Sequence, residues 1–229
     1  MHASPLRLCA SLLVLFAIAA VGVAAEPKWT SLFDGKTLKG WKQFGDAKYQ
    51  VRDGAIVGIV VEGASGNSFL VTEELFGDFV FECEFKADDG INSGIQFRSA
   101  PPDGQQQKRL YGYQFEIDPT PRALTGGLYE EGRRGWFQPP ENKGEPKEAW
   151  NRTHGDKFKP GAWNKARIEA RGNRIRTWLN GHPLADFVDK DEAVRVKRGF
   201  FGLQVHATKN AALFGKEVAF RNLRVQKLD

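Results

Sequence analysis

The stretch YGYQFEIDPT, residues 111–120, decides how the fold of this chain is predicted. Successive side chains of an extended strand point to opposite faces, so Gln114, Glu116 and Asp118 would share one face. The opposite, apolar face would carry Tyr113, Phe115 and Ile117. The pattern therefore predicts a strand with one face in the core and a polar face that bears two carboxylates.

The same period of two recurs along most of the chain. DFVFECEFKA, residues 78–87, predicts another half-buried strand, and ARIEARGNRIRTWLNG, residues 166–181, predicts two strands joined at Gly172-Asn173. Further strands are predicted at 55–60, 93–99, 111–118, 199–206 and 217–227. Helix is limited to a turn or two around 72–76 and 189–194. Many short strands between Gly, Asn, Asp and Pro turns predict an all-β fold, a two-sheet antiparallel sandwich of the jelly-roll kind.

Residues 133–161 interrupt this pattern. They are rich in Pro, Gly and charge, yet they contain Trp136, Phe137, Trp150 and Phe158. Aromatic residues are scarce in disordered linkers. We therefore predict an ordered loop that covers one end or one face of the sandwich, and such loops are usually functional.

The first 25 residues predict a signal peptide. Arg7 precedes the apolar run LLVLFAIAAVGV, which is too short to span a bilayer comfortably, and small residues precede Glu26. We expect a secreted or periplasmic protein whose residues 26–229 form a single domain. That part keeps only Cys83, so no internal disulfide is available to it.

The charge balance helps to narrow the class of partner. The chain has 33 Lys and Arg against 28 Asp and Glu, a formal charge of +5. No basic stripe with interleaved base-stacking aromatics is seen, which argues against nucleic acid as the main partner. We expect no membrane partner once the signal peptide is removed, and the oligomeric state is left open.

Six motifs occur in order along the chain and resemble one family, the 3-keto-disaccharide hydrolase domain, formerly a domain of unknown function. They are WTSLFDGKTLKGW, GDFVFECEFKADDGINSGIQFR, YGYQFEID, TGGLYEE, PGAWNKARIEARGNRIRTWLNG and GFFGLQVHA with VAFRNLRVQKL. The resemblance runs from Trp29 to Leu228. It implies a concanavalin A-like jelly roll, usually secreted, that acts on a carbohydrate substrate, a glycoside whose sugar ring carries a ketone at carbon 3.

Because side chains alternate between the two faces of each predicted strand, the candidate site residues can be assigned to one polar face. The predicted catalytic residues are Glu116, Asp118, His206 and Arg98. The predicted substrate-binding residues are Gln96, Gln114, Trp178, Asn180, Gln204 and Asn92. Simpler alternatives stay open: the two carboxylates could be surface groups paired with Arg98, and Trp178 could only pack under the loop instead of stacking on a sugar.

The strand 111–118 also resembles the Glu-Ile-Asp-x-Glu strand of laminarinase-type glucanases, but position 120 is Thr and Pro119 intervenes. Retaining glycosidases need two carboxyl groups about 5 to 5.5 Å apart, so ordinary glucan hydrolysis would need a carboxylate from elsewhere, such as Glu130 or Glu131. A 3-keto sugar needs only a base, a group that stabilises an enolate and preferably an acid.

For a keto sugar, either Glu116 or Asp118 could be the base and His206 the acid. Arg98 or a divalent cation could stabilise the enolate; Glu116 and Asp118 would suit calcium or magnesium. The function predicted first is hydrolase or lyase cleavage of 3-keto-glycosides. A non-catalytic carbohydrate-binding module is the alternative, and a conventional β-glucanase comes third.

Overall fold

The computed structural model describes residues 28–101 and 110–228, and the predicted all-β class is confirmed there. The elements in chain order are β1 Trp29–Ser31, β2 Trp41–Phe44, β3 Lys48–Arg52, β4 Ala55–Ile59, β5 Ser68–Thr72, β6 Phe79–Ala87, β7 Ser93–Ala100, β8 Tyr111–Ile117, β9 Leu128–Glu131, β10 Gly135–Gln138, α1 Gly144–His154, β11 Asn164–Arg171, β12 Arg174–Leu179, β13 His182–Val188, β14 Phe200–Val205, a 3-10 turn Ala211–Leu213 and β15 Glu217–Lys227.

The strands form two antiparallel sheets. Sheet A has the order β13-β12-β11-β6-β15-β4-β3, with β1 paired to β15. Sheet B has the order β10-β9-β8-β7-β14-β5-β2. Strands that neighbour each other in a sheet are often distant in sequence, as β7 and β14 are, so the chain crosses repeatedly between the two sheets. This is the predicted two-sheet jelly-roll sandwich.

The inner faces of the two sheets meet in an aromatic core. Phe81 and Phe85 of β6 are fully buried, as are Phe115 of β8 and Phe201 of β14. The rings of Phe81 and Phe201 stack across the sandwich with centroids 4.5 Å apart. Each such ring removes enough apolar surface from water to stabilise the fold by about 1.5–3 kcal/mol. The residues that alternation assigned to the core on β6, β7, β8 and β14 lie there, so their partners on those strands point outward.

The predicted hairpin at residues 166–181 is formed by β11 and β12, with Ala170 opposite Ile175. It lies in sheet A, however, whereas β7, β8 and β14 lie in sheet B. Alternation gives the face of each strand correctly but does not say to which sheet a strand belongs. This separates the outward residues of β12 from those of β8.

Residues 133–161 contain more regular structure than predicted. They include β10 and the eleven-residue helix α1, whose Trp150 is buried. Residues 72–76 and 189–194 form no helix. Helix is scarce, as predicted, but α1 was not expected at this place, because Pro146 looks like a helix breaker. In a first turn, however, the missing N–H of proline costs no hydrogen bond. One buried side chain also leaves little apolar periodicity to detect.

The predicted signal peptide lies outside the described residues. Across 28–101 and 110–228, no helix has both the length and the apolar character needed to cross a membrane.

Candidate functional site

The outer face of sheet B carries a polar cavity of about 330 Å³. Strands β8 and β9 supply its floor; its rim comes from β10, from the turn after β8 and from the segments next to β7, β10 and β14. The lining residues are Asn92, Gln114, Glu116, Arg122, Tyr129, Glu131, Trp136, Asn142 and His206. Four residues from the predicted site therefore meet here, namely Asn92, Gln114, Glu116 and His206.

Glu116 is the buried acid of this cavity, with 4% of its surface exposed. One carboxylate oxygen, Oε1, accepts a hydrogen bond from Asn92 Nδ2 at 2.5 Å, and Oε2 accepts one from Gln114 Nε2 at 2.9 Å. Burial raises the pKa of Glu116 to about 7; the two amides and Arg122 oppose this rise, whereas Asp118 adds to it. Glu116 can therefore exchange a proton near neutral pH.

A chain of amide side chains connects Glu116 to a second carboxylate. Gln114 Oε1 accepts from Gln204 Nε2 at 3.2 Å, and the same nitrogen lies 3.5 Å from Glu131 Oε2. Asn67 Nδ2 lies 3.5 Å from the other oxygen of Glu131. The predicted residues Gln114 and Gln204 thus fix the two acids of the cavity relative to each other.

Gly94 makes room for this chain of amides. A Cβ atom at Gly94 would lie 2.4 Å from Cδ of Gln114, far inside van der Waals contact. Only glycine lets the Gln114 side chain cross its neighbouring strand and reach Gln204 and Glu116.

Gln96 lies beside Gln114 on the same face and is fully buried. Neither its side-chain oxygen nor its nitrogen has a hydrogen-bond partner among the described residues. Gln96 is adjacent to the chain of amides but does not line the cavity. It therefore lies beneath the site, where a ligand in the cavity would not contact it.

The rim adds an imidazole and two aromatic rings. His206 is exposed, and its Nδ1 lies 2.6 Å from the Ala207 carbonyl oxygen, which leaves Nε2 as the nitrogen available to a ligand. Tyr129 and Trp136 pack with centroids 5.2 Å apart and an interplanar angle of 56°. Such rings can cover the apolar faces of a sugar.

Five lining residues were not placed in the site from sequence, namely Arg122, Tyr129, Glu131, Trp136 and Asn142. The signal for two of them was present in TGGLYEE: if Leu128 points into the core, alternation turns Tyr129 and Glu131 outward on the same strand. Glu130 instead faces inward, where Arg133 and Arg134 pair with it. Glu131 lies near Glu116 because β9 pairs with β8, and the sequence did not predict this pairing.

Asp118 lies next to the cavity, but its oxygens are already used. Oδ1 accepts from the Thr120 hydroxyl at 2.6 Å and from the Thr120 backbone N–H at 3.1 Å. Oδ2 is 2.8 Å from Nε of Arg122. Asp118 therefore holds the turn 118–122 and orients Arg122, whose guanidinium lines the cavity. Of the two carboxylates that sequence could not rank, Glu116 is the one placed to act as a base.

The predicted role of Arg98 in the site is wrong. A β-bulge follows Phe97, and Arg98 has φ of +44°, so its side chain leaves the alternation. Its guanidinium donates to the carbonyls of Gly77 at 2.8 Å and Gly172 at 2.7 Å, and to Asp78 Oδ1 at 2.6 Å. Arg98 is almost completely buried and ties sheet B to the β11–β12 turn of sheet A.

Trp178 and Asn180 are also away from the cavity, because β12 belongs to sheet A. The Trp178 ring lies between Arg167 and Arg176, 5.5 and 5.4 Å from their guanidinium carbons. Asn180, with φ of +51°, donates to the Lys157 carbonyl and to Asn164 Oδ1, both at 2.8 Å. Trp178 therefore packs against two arginines and Asn180 stabilises a turn, and neither lies at the cavity where a substrate was predicted to bind.

Glu116 and Asp118 do not fit the calcium or magnesium site considered from sequence. Amide N–H groups face both oxygens of Glu116, and a guanidinium faces Asp118, whereas a hard cation needs several oxygen ligands directed at one point. Within the part of the chain that the structure describes, no three His, Cys, Asp or Glu residues cluster closely enough to hold a metal ion.

The two-sheet antiparallel sandwich of this chain has the concanavalin A-like jelly-roll fold of glucanases and lectins. The chain belongs to the family described as the 3-keto-alpha-glucoside-1,2-lyase-like domain, whose model matches residues 28–226. This membership confirms the predicted family and supports a carbohydrate-active function and a carbohydrate ligand. Among curated proteins, no match to the chain is found.

Solved structures share the fold at low sequence identity. A protein inferred to be a glycosyl hydrolase from Parabacteroides distasonis is 22% identical, covers 88% of this chain and 94% of its own, and has a TM-score of 0.59. A Bacillus subtilis protein of unknown function with a galectin-like fold is 11% identical over 83% and 90%, with a TM-score of 0.59. The Bacillus licheniformis β-glucanase is 9% identical over 89% and 99%, with a TM-score of 0.55.

Proposed function

We propose that this protein cleaves the glycosidic bond of 3-keto-glycosides and that Glu116 is the base that starts the reaction. The observation that carries the proposal is a buried carboxylate, with a pKa of about 7, at the wall of a cavity lined by amides, an imidazole and aromatic rings. A base is most effective when its pKa is near the working pH.

The chemistry follows from the ketone. A carbonyl at carbon 3 acidifies the hydrogen on carbon 2, and Glu116 takes that proton while the electron pair forms an enolate. The enolate re-forms the ketone, a double bond forms between carbons 1 and 2, and the bond from carbon 1 to the leaving oxygen breaks. That oxygen takes a proton from His206 or from water. Release of the enone makes the reaction a lyase reaction, and addition of water to it gives net hydrolysis.

Other side chains of the cavity suit the remaining steps. Arg122 takes the enolate-stabilising place that sequence gave to Arg98, because its positive charge lines the cavity while Asp118 holds its position. Glu131 is the second acid and can exchange the proton of the added water. The amides of Asn92 and Gln114 orient Glu116 and would bind sugar hydroxyl groups.

Carbohydrate binding without cleavage is the second candidate. It is favoured by the two amide N–H groups that already satisfy the oxygens of Glu116. A conventional β-glucanase comes third: Thr120 supplies no carboxylate and Asp118 is held in its turn, so its pair of acids would have to be Glu116 and Glu131.

Purified protein incubated with a 3-keto aryl glucoside and with the unoxidised glucoside tests these functions. We expect aryl release from the keto substrate alone, with kcat/KM rising through pH about 7 as Glu116 loses its proton. Glu116→Gln should lower kcat about 10² to 10⁴-fold, the usual contribution of a general base. The matched control, Glu192→Gln, removes an exposed acid outside the cavity lining and should be unchanged.

Three outcomes would contradict the proposal. Full activity of Glu116→Gln would exclude this residue as the base, and binding of the keto sugar without turnover would support the second candidate. Cleavage of unoxidised β-glucan would support the third. Treatment with EDTA should leave the rate unchanged, since no step here uses a metal ion.

Export is part of the proposal. A signal peptide over residues 1–25 would deliver the enzyme to the periplasm or the exterior. Expression of the full chain in a bacterial host, followed by N-terminal sequencing of the periplasmic product, should give a chain that starts near Glu26; an uncleaved cytoplasmic product would contradict it.

A further inference from the structure

The outer face of sheet A, on the other side of the sandwich from the cavity, has a depression of about 500 Å³. Strands β1, β6, β11 and β15 supply its lining, which includes Trp29, Glu82, Glu84, Lys165, Asn222 and Arg224. We name these six residues the bulge site. Pockets that bind small ligands usually have about 300–1,000 Å³, so this depression is large enough for one.

A β-bulge in β15 shapes the depression. The strand has two residues, Asn222 and Leu223, where the neighbouring strand β6 has only Cys83. Leu223 is buried in the core, whereas Asn222 is exposed and lines the depression with φ of +53°. Bulges often redirect a side chain next to a functional site, and a non-glycine residue at positive φ is strained. The backbone here is therefore shaped to present Asn222 at the surface.

Trp29 supplies an aromatic ring to the depression. Strand β1 pairs with β15 and so holds Trp29 beside the bulge. The guanidinium carbon of Arg224 lies 4.4 Å from the centroid of this ring, which is partly exposed. A guanidinium over a ring limits its rotation, and a fixed indole presents a flat apolar surface on which a sugar ring can pack.

The formal charges of the bulge site cancel. It contains two cations, Lys165 and Arg224, and two carboxylates, Glu82 and Glu84. Both cations pair with Glu82, at 2.9 and 2.6 Å, and Glu84 pairs with Arg221 at 2.7 Å. A site without net charge has no field that would attract an acidic or a basic polymer. This balance favours a neutral ligand.

The ion pairs leave hydrogen-bonding groups for such a ligand. The Lys165 ammonium has three N–H donors, and Glu82 accepts from one of them. Arg224 donates from Nε and Nη2 to Glu82, and Glu84 accepts at Oε2, so Nη1 and Oε1 stay available in the described part of the chain. The Asn222 amide adds a donor and an acceptor. Because a hydroxyl group both donates and accepts, neighbouring sugar hydroxyls match this mixture.

Glu82 is suited to holding the site together and not to acid catalysis. Burial alone would raise the pKa of Glu82, but Arg224, Lys165 and Arg167 outweigh it and lower this pKa to about 2. Glu82 is therefore ionised at neutral pH and has no proton for a leaving group. Glycosidases need such an acid beside a second carboxylate, so the geometry favours binding without cleavage.

We propose that the bulge site is a second carbohydrate site, which binds neutral sugar units of a glycan without cleaving them. The Trp29 ring packs on the face of one sugar ring, and Asn222, Lys165 and Glu84 exchange hydrogen bonds with its hydroxyl groups. The bulge site shares no residue with the cavity of sheet B, so this binding is independent of the proposed keto-sugar cleavage.

Affinity electrophoresis tests the proposal in gels that contain laminarin, galactomannan or soluble starch, three neutral polysaccharides, with polygalacturonate as the acidic comparison. Wild type should be retarded by at least one neutral polymer, and salt should leave this retardation unchanged because it screens only charges. Trp29→Ala should weaken the affinity for that polymer at least tenfold. Asn222→Gly should weaken it several-fold; it removes the amide but keeps the bulge, since glycine readily adopts positive φ.

Two variants serve as controls. Trp178→Ala removes another partly exposed indole of sheet A that does not line the depression, and it should bind the polymer as wild type does. Glu116→Gln changes the cavity of sheet B and should also bind normally. Trp29→Ala should release the aryl group from the 3-keto glucoside at the wild-type rate. Loss of polymer binding and loss of cleavage are therefore separate results.

Five results would overturn the proposal. They are no retardation by any of the three neutral polymers, stronger retardation by polygalacturonate, full affinity of both Trp29→Ala and Asn222→Gly, equal losses in Trp29→Ala and Trp178→Ala, and a loss in Glu116→Gln, which would place the binding in the cavity. Thermal unfolding shows whether each variant is folded. If Trp29→Ala does not fold, Asn222→Gly decides the matter.

Discussion

Replacement of Glu116 by Gln should change how stability depends on pH. In the unfolded chain this carboxyl has a pKa of 4.5, and in the folded protein burial raises it to about 7. Ionised Glu116 is therefore penalised only in the folded state. Below pH 4.5 both states are protonated and the penalty is absent; it grows between pH 4.5 and 7 and is complete above pH 7.

The magnitude follows from the two pKa values. A difference of about 2.5 pH units, at about 1.4 kcal/mol per unit, makes ionisation cost the folded wild type about 3 kcal/mol above pH 7. The glutamine side chain of the variant carries no charge and avoids this cost. Relative to ionised Glu116 the variant also loses one acceptor for Asn92 or Gln114, and the pKa of Glu116 already includes the contribution of these two hydrogen bonds.

Urea unfolding of wild type and Glu116→Gln at pH 4 and pH 8 measures the effect. The free energy of unfolding of the variant minus that of wild type should increase by about 3 kcal/mol between the two pH values. Contributions from other titrating groups cancel because both proteins contain them. Glu192→Gln, which removes an exposed carboxylate, should show little pH-dependent difference. A difference for Glu116→Gln that is equal at pH 4 and pH 8 would refute the buried, raised-pKa description of this residue.

Two further substitutions test the support of the site. Gly94→Ala should destabilise the protein by about 1–3 kcal/mol in urea unfolding and lower kcat for aryl release from the keto substrate, because its Cβ would displace Gln114. Normal stability and kcat would show that the close approach of Gly94 and Gln114 is unimportant. Arg98→Gln should lower the free energy of unfolding by about 1–3 kcal/mol, since the carbonyls of Gly77 and Gly172 lose a donor, whereas the partly exposed Asp78 keeps its bond from the Gly172 N–H. KM of the folded fraction should stay unchanged; a raised KM at normal stability would return Arg98 to the site.

Strand alternation predicted the faces of β8 and β14 well, and Gln114, Glu116 and Gln204 do meet on the outer face of sheet B because both strands belong to that sheet. The same rule gave Trp178 its correct outward direction. It failed to place Trp178 because direction within a strand is local, whereas membership of a sheet depends on which distant strands pair. The candidate site predicted from sequence therefore mixed residues from the two outer faces of the sandwich.

Other differences arise where the backbone departs from a regular strand. The bulge after Phe97 turns Arg98 out of the alternation, and positive φ at a non-glycine residue has no reliable sequence signal. Helix α1 was missed because it buries only Trp150 and begins around a proline. The pKa of Glu116 likewise depends on burial by neighbouring strands, which sequence does not give.

The hydrogen bonds of Thr120 also affect how this protein could evolve. Laminarinase-type strands have Glu at the position that Thr120 occupies, but restoring Glu here would remove the hydroxyl that Asp118 accepts from and would add a third negative charge beside it. Asp118 would then hold Arg122 less firmly. A single substitution would disturb the present site before it created another, so the path to a glucanase requires coordinated changes at several positions of the 118–122 turn.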